Sequence, residues 1–159
     1  MTIQTGDRIP DATFTVMSGG KPTPLSVAEL FGGKRVVLFS VPGAFTPTCS
    51  AKHLPGFVDH ADEILGQGVD TIACMAVNDV FVMNAWGKSA DAGKILMLAD
   101  GNGEFATALG LELDASGFGM GQRSQRFALV AENGVVTQLF IEKPGEFNVS
   151  SAEYVLSSL

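Results

Sequence analysis

Residues 35–50 read RVVLFSVPGAFTPTCS. Arg35–Val41 is a continuous apolar run of strand length, the pattern of a strand covered on both faces. Pro42, Gly43 and Pro47 then fix the path of a short loop, and Pro47 suits the first turn of a helix. Thr46 is an N-cap candidate. Cys49 therefore falls in a helical first turn, where unpaired N–H groups and the positive end of the helix dipole favour an anion. In open α/β sheets, ligands bind beyond the carboxyl ends of the strands, where loops feed into helices.

Working outward, Pro55–Leu65 predicts a helix ended by Gly66 and Gly68. Val69–Val77, VDTIACMAV, reads as the next buried strand. Val80–Trp86 is expected to be helical, Ile95–Ala99 a strand, and Glu104–Leu109 a helix closed by Gly110. Upstream, Ser26 and Glu29 make a capping box that opens a short helix. After Arg126 the pattern changes. Phe127–Ala131 and Val135–Ile141 flank Asn133-Gly134, the dipeptide suited to a type I′ hairpin turn. Ser150 with Glu153 forms a second capping box, ahead of a terminal helix in SAEYVLSSL. Parallel βαβ units followed by an antiparallel hairpin and a closing helix describe an α/β fold, a thioredoxin-like three-layer sandwich. It has a mixed central sheet, flanking helices and a C-terminal β-hairpin plus helix. The length, with no repeat or linker, predicts one domain over 1–159.

Composition narrows the function. Hydrophobic residues make up 46% of the chain and charged residues 17%, which excludes disorder and leaves apolar surface for a subunit interface. The net charge of −7 argues against nucleic acid or an anionic membrane as partner, since phosphate binding needs a basic patch. No run approaches the roughly 18 apolar residues of a membrane span. MTIQTGDRIP lacks the basic and apolar regions of a signal peptide, so the expected setting is the cytoplasm. Two cysteines, Cys49 and Cys74, are too few for a disulfide framework, and their separation fits no zinc-ligand pattern. In a reducing compartment each is either a small core residue or an active thiol. Cys74, inside an apolar strand, suits the first; Cys49, framed by Pro, Gly and Thr, suits the second.

A thiol at a helix N-terminus ionises more readily than a free one, and a second cation strengthens the effect. Arg126 opens the apolar strand FALV, an unusual place for a charge without a partner. His53 lies four residues after Cys49 on the same helical face, which raises a thiolate–imidazolium pair as an alternative, though Pro55 distorts the geometry there. His60 reads as a surface residue. Gly117–Gly121, GFGMG, is a flexible loop; no strand leads directly into it and no Lys-Ser/Thr follows, so a phosphate cradle is a poor reading. Phe81, Met83 and Trp86 read as core. A disulfide oxidoreductase on the same fold needs a second thiol beside the first, and Cys49 is followed by Ser50, Ala51 and Lys52. A non-enzymatic redox sensor is the remaining alternative.

PGAFTPTCS closely resembles the active-site signature of the type II peroxiredoxins, the class with plant type II and vertebrate mitochondrial and peroxisomal members. The resemblance extends through GDRIPDATF, VNDVFVMNAWGK, LADGNGEF, RSQRFALV and EKPGEFNVSSAE. It implies a peroxidatic Cys49 with no cofactor and no metal. It also implies peroxide held by the Thr46 hydroxyl and the Thr48 and Cys49 N–H groups, Arg126 beside the sulfur, and Pro42 shielding it from water. Phe45, Phe118 and Met120 are the expected apolar mouth for hydrogen peroxide and alkyl hydroperoxides. Full ionisation of a thiol of pKa about 8.5 raises the nucleophile at pH 7 by at most roughly 30-fold, or about 2 kcal/mol. Orientation and charge stabilisation must supply the rest.

Family members that close an internal disulfide carry a resolving cysteine near the C-terminus, where this chain has Ser150 and Ser151. Others have been assigned one at the position that Cys74 matches. The expectation is resolution by an external thiol, glutathione with or without glutaredoxin, over thioredoxin with Cys74. The resemblance further implies a homodimer whose interface uses the Phe45 loop and the Phe81 region.

Overall fold

The computed structural model describes residues 1–159, and the run beginning at Arg35 is a central strand of a seven-stranded sheet. The strands are β1 (Thr13–Ser18), β2 (Lys21–Ser26), β3 (Arg35–Ser40), β4 (Thr71–Ala76), β5 (Ile95–Ala99), β6 (Glu112–Asp114), β7 (Gln122–Ser124), β8 (Phe127–Glu132) and β9 (Val135–Ile141). The helices are α1 (Val27–Phe31), α2 (Leu54–Leu65), α3 (Val80–Ser89), α4 (Glu104–Leu109) and α5 (Ala152–Ser158). The large sheet has the order β2-β1-β5-β4-β3-β8-β9, and β6 and β7 form a separate ribbon. β3, β4 and β5 are parallel, while β1, β2, β8 and β9 pair antiparallel. This is the thioredoxin-like mixed sandwich.

Alternation along the central strands builds two cores. Val37, Phe39, Ile72 and Cys74 face one side, where Phe57 and Ile64 of α2, Met83 and Trp86 of α3, and Val155 of α5 cover them. Val36, Leu38, Ala73 and Met75 face the other, against Leu30 and Phe31 of α1 and Phe105 and Leu109 of α4. Successive strand residues point to opposite faces, so a continuous apolar run is what a doubly covered strand requires. No helix is long and apolar enough to cross a membrane.

Several local expectations hold. Ser26 and Glu29 form the reciprocal capping box, and Asn133-Gly134 turns the β8–β9 hairpin with φ of 50° and 78°. Others are corrected. The β1–β2 hairpin was not anticipated: β2, KPTPLS, carries two prolines that obscure strand character, and it is tolerated because β2 is an edge strand. The last helix is capped by Ser151, whose hydroxyl accepts from Tyr154 N–H, and not by Ser150. Phe81 is 64% exposed rather than core, while Met83 and Trp86 are buried.

The helix after the loop begins earlier than Pro55, at residue 47. It passes through a π turn, Cys49–His53, in which Leu54 N–H bonds the Cys49 carbonyl. Proline at 55 has no N–H to continue the α-helical ladder and crowds the carbonyl four residues back. The wider π turn absorbs that defect immediately ahead of it.

Candidate active site

The loop between β3 and the helical turn is held on all sides. Val41 N–H bonds Met75 O at 3.1 Å, and Ala44 N–H bonds Asn78 Oδ1 at 2.9 Å. A β-carbon on Gly43 would meet Met120 Cε at 3.1 Å, Thr46 Cγ2 at 3.2 Å and Arg123 Nη1 at 3.3 Å, so this position is kept small by close approach. Arg123 clamps the β6–β7 ribbon across the loop, donating to Met120 O at 2.9 Å and to Val77 O at 3.1 Å.

Thr46 stands where the sequence expects the cap, but it caps through its backbone. Its carbonyl accepts Ser50 N–H at 2.9 Å, while its hydroxyl turns back to donate to Gly43 O at 2.7 Å. That hydroxyl therefore offers lone pairs to a ligand, where the family resemblance implies a donor. The N–H groups of Thr48 and Cys49 donate to no carbonyl or side chain of the chain. They are the orphan donors of a helix start, next to the sulfur.

Cys49 is fully buried. β8 runs antiparallel to β3 with Phe127 opposite Ser40, so Arg126 lies at the end of β3 where the loop begins. From there its Nη2 donates to Cys49 Sγ at 3.0 Å. A guanidinium at that distance makes a charge-assisted hydrogen bond to the sulfur. No carboxylate pairs with Arg126.

His53 does not pair with Cys49. Its Nδ1 lies 2.7 Å from Arg126 Nη1 and its Nε2 lies 2.8 Å from Ser150 O. Burial, with the adjacent Arg126 charge, lowers its pKa to about 3, so it is neutral. Ser150 is in turn bound by Glu142, whose carboxylate accepts the Ser150 hydroxyl at 2.7 Å and the N–H groups of Asn148, Val149 and Ser150 at 2.8 Å each. Burial alone would raise the Glu142 carboxyl, but those hydrogen bonds outweigh it and hold it below its ordinary range. Sequence reading missed this network. Its only signals were a histidine inside the motif and an acidic residue opening EKPGEFN.

A cavity of about 480 Å³ reaches Thr48 and Arg126, the residues flanking the buried Cys49, and is lined also by Pro42, Leu113, Phe118 and Met120 together with Gln125, Glu142, Lys143 and Glu146. Phe45 is not part of it. With φ of 63° it turns its ring, 54% exposed, towards Trp86 at 6.5 Å between centroids. Trp86 Nε1 donates to Ser50 Oγ at 3.0 Å. Cys74 is buried in β4, paired with Phe39 and Met97 on either side. Burial, and secondarily the neighbouring Cys49, push its thiol pKa well up. Both cysteines are free thiols. His60 sits at the surface between Glu63 and Glu153, at 3.0 and 3.3 Å.

The redoxin family model matches residues 4–156. Peroxiredoxin-2E-2, chloroplastic, of Oryza sativa subsp. japonica is 51% identical across 99% of this chain and 73% of its own length. Peroxiredoxin-2B of Arabidopsis thaliana is 49% identical, with 99% and 98% covered. Reduced Prx3 from Vibrio vulnificus in complex with H2O2 superposes with a TM-score of 0.96, at 52% identity and 99% coverage of both chains.

Proposed function

Since the chain belongs to the type II peroxiredoxins, thiol peroxidases of the redoxin family, we propose that Cys49 carries each turnover as a sulfenic acid regenerated by glutathione. The observation that carries the site assignment is the Arg126 Nη2 at 3.0 Å from Cys49 Sγ, with the Thr48 and Cys49 N–H groups unpartnered beside it. The Cys49 thiolate attacks the terminal oxygen of the hydroperoxide. An S–O bond forms, the O–O bond breaks, and the electron pair leaves on the other peroxide oxygen, the one bearing the alkyl group or hydrogen, which takes a proton to become an alcohol or water. Arg126 and the two N–H groups stabilise the moving charge, and the Thr46 hydroxyl accepts the peroxide O–H. The volume of the cavity and the Leu113, Phe118 and Met120 side chains in its wall support alkyl hydroperoxides as substrates alongside hydrogen peroxide.

One thiol of glutathione then displaces water from the sulfenic acid to give a mixed disulfide. A second glutathione, or glutaredoxin, releases the Cys49 thiol by exchange. The placement of Cys74 supports this over thioredoxin acting on a Cys49–Cys74 disulfide, because Cys74 lies in a strand bonded on both edges and fully buried. The exposed rings of Phe45 and Phe81 support a homodimer that covers apolar surface at the cysteine loop and α3. Intact mass spectrometry after one equivalent of peroxide, with and without glutathione, tests the cycle. A glutathione adduct on Cys49 is expected, and a Cys49–Cys74 disulfide under both conditions overturns it.

A further inference from the structure

We propose that His53 is a positioning residue for peroxide attack: a neutral imidazole that takes one arm of the Arg126 guanidinium and so aims the other at the Cys49 sulfur. The hydrogen-bond partners alone fix its state. Ser150 O can only accept, so Nε2 at 2.8 Å carries the proton; Arg126 Nη1 can only donate, so Nδ1 at 2.7 Å is a lone pair. The ring cannot swing away, because Phe39 and Phe147 lie at 4.9 Å and Phe57 at 5.7 Å from its centroid.

The arrangement closes on itself. Arg126 donates to His53, and His53 donates to the carbonyl of Ser150. Ser150 donates to the Glu142 carboxylate, and Glu142 N–H returns to Arg126 O at 3.0 Å. The guanidinium is thus located from its backbone end and its tip by one circuit. The choice of a neutral acceptor has an electrostatic consequence. A carboxylate in the place of His53 would orient Arg126 equally well but would cancel the positive charge that the sulfur and the departing oxygen need. An imidazole orients and leaves the charge available.

This rests on the peroxidase reading, and the test separates the two. In the parent protein, ¹⁵N NMR of the imidazole is expected to show the neutral Nε2–H tautomer from pH 8 to pH 5. An Nδ1–H tautomer or an imidazolium in that range overturns the proposal. His53→Leu fills the space but accepts nothing, and is expected to slow Cys49 oxidation by hydrogen peroxide roughly 100-fold. Alkylation of Cys49 by iodoacetamide, which has no departing oxygen to stabilise, should slow far less. His53→Asn, with an amide oxygen in the place of Nδ1, is expected to recover most of the loss. Oxidation of the leucine variant at the parental rate, or equal slowing of leucine and asparagine variants, overturns the positioning role. If the leucine variant does not fold, the tautomer and the asparagine variant decide. Failure of the parent itself to be oxidised would instead strike the peroxidase assignment.

Discussion

Arg126 Nη2 lies 3.0 Å from Cys49 Sγ, although 77 residues separate the two in sequence. The contact exists because β8 pairs with β3 and delivers Arg126 to the end of the strand that launches the cysteine loop. It makes the sulfur and the guanidinium a unit, and the predictions follow from treating them so.

Cys49→Ser should abolish peroxide consumption and leave the circular dichroism spectrum unchanged. The hydroxyl keeps the Arg126 donor satisfied but is a far weaker nucleophile. Residual turnover above about 1% of the parent would remove Cys49 from the mechanism.

Arg126→Lys should lower the second-order rate of Cys49 oxidation by about 10²- to 10³-fold, the range for loss of one charge-stabilising donor. A lysine keeps the charge but cannot fork between His53 and sulfur. Rapid-quench mass spectrometry of the sulfenic acid measures it.

Cys74→Ala should leave peroxidase activity with glutathione within about twofold of the parent, since no step of the proposed cycle uses that thiol. The small cavity should lower stability by about 1 kcal/mol. Steady-state assays read the first and urea denaturation the second.

Acid should destabilise the fold through His53. Its folded pKa of about 3 lies below the ordinary 6.5, so the unfolded chain binds a proton that the native state refuses. The contribution is fully present above about 6.5 and is lost as pH falls from there to about 3, with a slope of about 1.4 kcal/mol per pH unit inside the window. Urea midpoints at pH 7, 5 and 4 should fall more steeply for the parent than for His53→Asn. His60 has the opposite sign: its partners Glu63 and Glu153 raise its pKa, so its small surface contribution fades as pH rises through the folded value.

Phe81→Lys should shift the proposed homodimer to monomer in light scattering at micromolar concentration. It places a charge at an exposed apolar position on α3 while leaving the residues that line the cavity untouched. A dimer that survives this change uses another face.

The strands buried on both faces were legible because their signal is a local apolar run, and the Cys49 turn because Pro, Gly and Thr have strong local preferences. β2 was not, since its prolines carry the opposite signal and its strand character comes from pairing with β1. Phe81 and Phe45 were misplaced because hydrophobicity says a side chain seeks cover without saying whose. The roles of His53, Ser150 and Glu142 depend on contacts between residues up to 97 positions apart, where no spacing rule reaches.

The indole of Trp86 is the one tryptophan of the chain, and its N–H is bonded to Ser50, the residue next to Cys49. The protein therefore contains its own optical reporter. Movement of the π turn as the sulfur gains and loses oxygen should alter that bond and the emission that depends on it, so each half of the catalytic cycle can be timed in a stopped-flow fluorimeter without a label.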